Sequence, residues 1–87
     1  MSAELQLLSR TGCGLCEEMA QALRPVLAAA GVQLGVIDVD HDAERQRRYG
    51  LRVPVLLDAW DEVVCEGHFD ADALQDWLRE RRRRSAV

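Results

Sequence analysis

The chain is predicted to be α/β, a four-stranded mixed sheet with helices on both faces, in the order β-α-β-α-β-β-α. Three observations predict it. Apolar residues alternate between strand-like runs and helical three-and-four spacing along the whole length. The last two strand-like runs are joined by only four residues, which makes a hairpin and so mixes antiparallel with parallel pairing. A Cys-x-x-Cys pair, Cys13 and Cys16, sits where the first strand hands over to the first helix. The 87 residues suit one domain, 1–87, with a basic C-terminal tail over 79–87. A chain of this size buries roughly 60–65% of its unfolded surface, enough for one core and not two.

Residues 3 to 9, with Ala3, Leu5, Leu7 and Leu8 among polar neighbours, read as a strand ending at Ser9-Arg10-Thr11-Gly12. Leu15, Met19, Leu23, Val26, Leu27 and Ala30 then recur at helical spacing and predict one apolar face. Pro25 lies inside that pattern and predicts a kink or a split, because proline removes a donor and crowds the preceding turn. Gly31 ends the helix.

Val32, Leu34, Val36, Ile37 and Val39 form a nearly continuous apolar run, as in a strand covered on both faces. Asp40 or Asp42 caps a short helix that runs through Tyr49 and closes at Gly50. Val53 to Leu57 and Glu62 to Cys65 are the hairpin strands, separated by Asp58-Ala59-Trp60-Asp61. Asp70 caps the last helix, whose inner face is Leu74, Trp77 and Leu78. The crossover between the first two strands should be right-handed.

Net charge is −4, unevenly spread. Residues 1–78 carry six arginines against fourteen acids, a net −8, while 79–87 carry five arginines against Glu80, a net +4. An acidic body argues against nucleic acid as a partner. The arginine tail reads either as a contact for an anionic partner or as a solvated helix end offsetting the negative dipole pole, and the second is the simpler account. No apolar run approaches the roughly 18–20 residues of a membrane span, and the first residues lack a basic segment followed by a long apolar stretch. With an odd number of cysteines, these features point to a reducing cytoplasm and no membrane.

Both thiols of the Cys-x-x-Cys pair fall at a helix N-terminus. Unpaired backbone N–H groups and the positive dipole end favour a thiolate there, and a second cysteine three residues on is in reach to close a disulfide. Two other readings stay open: a pair of buried apolar thiols, or half of a zinc site completed by Cys65 and His68. Forty-eight residues with a β-α-β-α pattern separate Cys16 from Cys65, which weakens the zinc reading. Cys65 otherwise reads as a core or edge thiol, His41 and His68 as loop residues, and Trp60 and Trp77 as packing residues. Arg45, Arg47, Arg48 and Arg52 form a solvated face or a cradle for a carboxylate, the former being the simpler account.

Three motifs in order, Cys13-Gly14-Leu15-Cys16, Arg52-Val53-Pro54 and Glu66-Gly67-His68-Phe69-Asp70, resemble a glutaredoxin of the thioredoxin-like superfamily, and more narrowly the small bacterial glutaredoxin-like proteins. The resemblance covers nearly the whole chain. It implies a thioredoxin-like fold of glutaredoxin type and a cis Val53–Pro54 bond. It also implies thiol-disulfide oxidoreductase activity on protein or glutathione mixed disulfides. In that scheme Cys13 attacks, Cys16 resolves, and Pro54 shapes the groove opposite the thiols. The Val53 backbone, Arg10, Gly67 and Asp70 would bind substrate. No metal or organic cofactor is required, with glutathione a possible reductant and the reductase open. Alternatives are a non-enzymatic thioredoxin-like binding module or the zinc protein described above; an iron-sulfur carrier fits less well, for want of a lone-cysteine motif. Gly14-Leu15 replaces the family's usual Pro-Tyr, Glu17 and Glu18 follow the motif, and only Arg10 precedes it. This thin basic surround predicts weaker use of glutathione than in typical glutaredoxins.

Overall fold

A computed structural model describes residues 3–85. Strand β1 (Leu5–Ser9) leads into helix α1 (Gly14–Ala30). Strand β2 (Leu34–Asp38) follows, then a 3-10 turn (Val39–His41) and helix α2 (Ala43–Tyr49). Strands β3 (Val55–Leu57) and β4 (Val63–Glu66) precede helix α3 (Ala71–Ser85). The sheet order is β2-β1-β3-β4. Strand β1 pairs parallel with β2 and antiparallel with β3, and β3 pairs antiparallel with β4. The expected mixed four-stranded sheet is present.

Alternation along the strands divides the interior into two layers. Leu5 and Leu7 pack with Met19, Ala20, Leu23 and Leu27 of α1, Leu56 of β3 and Leu74 and Leu78 of α3. Leu8, Val55 and Leu57 turn to the opposite face and meet Val39 of the 3-10 turn and Tyr49 at the end of α2. The helices therefore cover both faces, α1 and α3 on one and α2 on the other.

Pro25 does not split the first helix, which runs unbroken from Gly14 to Ala30. The carbonyl that proline leaves without its donor belongs to Gln21, and Gln21 and Pro25 are both exposed, so the loss falls on the solvent side of the helix, where it costs least. The buried stripe of α1 also differs from the expected face: it is Cys16, Met19, Ala20, Leu23 and Leu27, while Leu15 is 55% exposed and Ala30 lies in solvent. Leu15 stands in the first turn, ahead of where the stripe begins. The apolar run of β2 is likewise not covered on both faces. It is an edge strand, with Val36 52% exposed, and its pairing with β1 leaves the other edge to solvent.

The caps follow the sequence with one resolution. Asp42, not Asp40, caps α2, its carboxylate accepting from the Arg45 N–H at 3.1 Å. Asp38 caps the 3-10 turn through the Asp40 N–H at 2.9 Å. Asp70 caps α3 through the Ala73 N–H at 3.0 Å. Gly31 closes α1 in a left-handed conformation, φ 69°. Gly50 follows α2 in right-handed helical geometry instead, and glycine suits it because an added Cβ would collide with the Gln46 carbonyl.

The arginine-rich segment continues α3 as far as Ser85, placing Arg82, Arg83 and Arg84 at the negative helix end; residues 86 and 87 of the expected tail lie outside the described residues. Arg81 turns back and forks onto Glu4, with Nε and Nη2 at 2.6 and 2.9 Å from the two carboxylate oxygens. That pair ties α3 to the start of β1. Among the described residues no helix is long and apolar enough to cross a membrane.

Leu23 is fully buried between β1 and α3. Leu23→Ala should lower unfolding free energy by about 2–5 kcal/mol, whereas Leu15→Ala should stay within about 0.5 kcal/mol of the parent. Urea titration of both variants checks this, and similar losses would contradict the assignment of the α1 stripe.

Candidate active site

The turn that carries the first cysteine is built by its glycine. The Cys13 N–H donates to the Arg10 carbonyl at 3.2 Å, and Gly12, third residue of that turn, has φ 78°, a conformation that side chains with a Cβ rarely adopt. Cys13 itself is extended (φ −91°, ψ 105°) and serves as the N-cap of α1. Its Sγ accepts the Cys16 N–H at 3.2 Å. The two sulfurs lie within bonding distance, with Cα atoms 5.2 Å apart. Cys13 is half-buried, whereas Cys16 is only 2% exposed, so the first sulfur is the one that solvent and a large substrate reach. When the pair is reduced, the same N–H and the positive end of the helix favour a thiolate at Cys13.

Strand register brings the other two motifs to this end of the sheet. Leu8 pairs with Val55, and Val55 with Glu66, so Pro54 and Gly67 stand beside the end of β1 from which the cysteine turn departs. The Val53–Pro54 bond is cis and Pro54 is buried. The Pro54 carbonyl accepts the Gly67 N–H at 2.8 Å, and Gly67 turns the chain away at φ 81°. The Val53 N–H is taken by the Tyr49 carbonyl at 3.1 Å.

The charged residues near the site mostly serve the frame. Arg10 forks onto Asp40, with Nε and Nη2 each 3.1 to 3.2 Å from carboxylate oxygens, and its Nη1 donates to the Gly50 carbonyl at 3.0 Å. Thr11 Oγ1 donates to Asp38 at 3.1 Å. Arg52 forks onto Glu66 at 3.0 and 2.8 Å and lies over the Tyr49 ring, 5.1 Å from its centroid. Arg45 pairs with Asp42 and Arg47 with Glu44. The cradle of guanidinium groups expected as one possibility is thus largely engaged with carboxylates of the chain. Asp70 is exposed, and one of its oxygens is used as the cap of α3.

The zinc reading does not assemble. Cys65 is buried in the core layer with Leu56 and Leu74, His68 is exposed, and among the described residues no group of three or more His, Cys, Asp or Glu converges to hold a metal. Burial pushes the Cys65 thiol up, against the opposing effect of a backbone hydrogen bond at Asp70. The forks of Arg10 and Arg52 were not visible in the sequence, since their partners lie 30 and 14 residues away with no local pattern to signal them.

Several carboxyls that hold this frame sit below their ordinary range. Glu66 is held down chiefly by hydrogen bonding to Arg52, Asp38 by the Asp40 N–H, Asp42 by the Arg45 side chain, and Glu4 by Arg81. Each is lower folded than unfolded, so its contribution is present above the ordinary carboxylate range and is lost as pH falls through the folded value. Thermal unfolding midpoints should therefore be flat down to about pH 5 and fall progressively below about pH 4. Arg52→Met should flatten part of that acid limb, by a small amount because the pair is at the surface. An acid limb unchanged by Arg52→Met would mean that the fork contributes nothing to folding.

The family model described as Glutaredoxin-like domain (DUF836) matches residues 4–79. Protein Ne2328 of Nitrosomonas europaea, solved by NMR, is 34% identical over 90% of this chain and 93% of its own, with a TM-score of 0.77. Protein XcR50 of X. campestris, an X-ray structure, is 36% identical over 87% of this chain and 96% of its own, with a TM-score of 0.67. No curated relative matches the chain. With a matching family model over most of its length and a cysteine pair at bonding distance, the chain belongs to the glutaredoxin-like family and is a redox-type protein of thioredoxin-like fold.

Proposed function

We propose that the protein is a dithiol thiol-disulfide oxidoreductase of glutaredoxin type, working in the cytoplasm on protein or glutathione mixed disulfides. The observation that carries this reading is the contrast between the half-buried Cys13, whose Sγ receives the Cys16 N–H at the start of α1, and the buried Cys16 beside it. In the reducing direction the Cys13 thiolate attacks a substrate disulfide, forming a mixed disulfide and expelling the other half as thiolate. Cys16, deprotonated, then attacks Cys13 Sγ, forming the Cys13–Cys16 bond and releasing the second substrate thiol. Two electrons pass from the dithiol to the substrate, with no metal or organic cofactor required.

Pro54 shapes the groove opposite the thiols. Because the Val53 N–H is already given to Tyr49, its carbonyl is the group offered to an incoming extended chain. Gly67 and Asp70 border the same groove. Arg10 is a framing residue first, engaged with Asp40 and Gly50, and is available to a substrate carboxylate only by exchange. Glutathione is a possible reductant and the partner reductase is open; no nucleic acid and no membrane enter the scheme.

The test is an asymmetry between single variants. Cys16→Ser should accumulate a mixed disulfide with a substrate protein, seen on non-reducing gels and by mass, whereas Cys13→Ser should form none. Equal trapping by both variants would overturn the assignment, and stoichiometric binding of partners by both variants without disulfide formation would favour a non-enzymatic module.

Since Arg10 and Arg52 are engaged within the chain, turnover of a small glutathione mixed disulfide with glutathione should be slower than that of a typical glutaredoxin assayed beside it. A matching rate would contradict this expectation.

A further inference from the structure

We infer that the dithiol face selects protein disulfides carried on basic segments with a bulky apolar side chain next to the half-cystine. The inference rests on the oxidoreductase reading and names its substrate class. A groove of about 300 Å³ opens along the first turns of α1, lined by Leu15, Glu18, Met19, Ala22, His68 and Phe69. One wall is the dithiol helix itself. Positions 15, 18, 19 and 22 share a stripe of α1, and Leu15 lies between the two cysteines. The other wall, His68 and Phe69, follows Gly67, whose N–H is held by the Pro54 carbonyl. With Leu15 adjoining the cysteines and Gly67 bonded to Pro54, the proposed path of an extended chain across Cys13 and Pro54 directs the residue beside its half-cystine toward this groove. The floor is Met19 and Ala22 with the half-buried Phe69, and Leu15 stands 55% exposed at the entrance. An apolar side chain, and not a charged one, gains by leaving water there.

Charge at the mouth supplies the second criterion. Among the described residues Glu17 and Glu18 take part in no ion pair, while Arg10 and Arg52 are each matched by a carboxylate. The nearest basic side chain on α1, Arg24, is seven residues beyond Glu17, about 10 Å along the helix axis. The uncompensated charge next to Cys13 is therefore negative, as is that of residues 1–78 as a whole. Such a field speeds the approach of cationic segments and slows anionic ones.

The test uses the reduced full chain and synthetic peptides whose single cysteine carries thionitrobenzoate as a mixed disulfide. The Cys13 thiolate attacks the peptide sulfur, the new S–S bond forms, and thionitrobenzoate leaves as a coloured thiolate. Three peptides share a leucine beside the cysteine and differ only in two flanking residues, lysine, glutamine or glutamate. A fourth replaces the leucine by glycine in the glutamine peptide.

At low salt the lysine peptide should react about fivefold faster than the glutamine peptide and the glutamate peptide about fivefold slower, the spread closing to within about twofold at high salt. The double variant Glu17→Lys/Glu18→Lys should invert the order. Dividing by each protein's own rate with the glutamine peptide removes any change in Cys13 reactivity that the variant causes. Glycine for leucine should slow the reaction by about threefold or more. Equal rates for the three charged and neutral peptides, or no effect of the leucine, overturn the inference while leaving the oxidoreductase reading intact. A glutamine peptide that releases no thionitrobenzoate from a protein whose Cys13 is freely alkylated overturns both.

Discussion

Strand β1 is the constraint on which the rest of the molecule depends. Leu5, Leu7 and Leu8 are fully buried, and the strand is hydrogen-bonded along both edges, parallel to β2 and antiparallel to β3. Because side chains alternate, two of these leucines belong to the layer under α1 and α3 and the third to the layer under Tyr49. At about 1.5–3 kcal/mol for each large apolar side chain removed from water, this one five-residue strand anchors both halves of the core. A one-residue slip of its register would exchange the layers and at the same time displace the cysteine turn, which leaves directly from its end. Stability and placement of the thiols are thus set by the same residues.

Around the thiols, the ion pairs act mainly as geometry. An exposed pair contributes about 0–1 kcal/mol, so neither the Arg10–Asp40 nor the Arg52–Glu66 fork accounts for much of the fold energy. Each spans elements far apart in sequence. Arg10 ties the first residue of the cysteine turn to the 3-10 turn and to the end of α2, and Arg52 ties the residue before Val53-Pro54 to the end of β4. Together with the Gly67-to-Pro54 hydrogen bond they hold three loops in register at one end of the sheet. The guanidinium groups that could have met an anionic ligand are used for this, and the unpaired charge left at the surface beside the thiols is that of Glu17 and Glu18.

Much of this was legible in the sequence because it is local. The helix caps Asp42 and Asp70, the Asp58–Asp61 turn and the cysteine pair at a strand-to-helix junction are all written in neighbouring residues. The choice between Asp40 and Asp42 turns on an element the apolar pattern does not signal: the 3-10 turn Val39–His41 takes in Asp40, which also pairs with Arg10, and leaves Asp42 directly ahead of α2 as its cap. Pro25 misled for a related reason, since its cost depends on whether the orphaned carbonyl faces water, which only the packed helix determines. The apolar run of β2 resembles that of a central strand, yet sheet order, not composition, placed it at the edge. Leu15 continues the helical periodicity of α1 but lies ahead of the buried stripe, and its exposure beside Phe69 becomes visible only once the loop after β4 is in place.

The third cysteine gives the molecule a property unrelated to its chemistry. Cys65 is 8% exposed, packed among Leu56 and Leu74, and its thiol is held protonated by burial. A reagent that labels thiolates can reach it only when β4 and α3 part. With Cys13 and Cys16 oxidised, the rate at which the chain takes up label then reports how readily the core opens around this one thiol, so the protein carries its own probe of local unfolding.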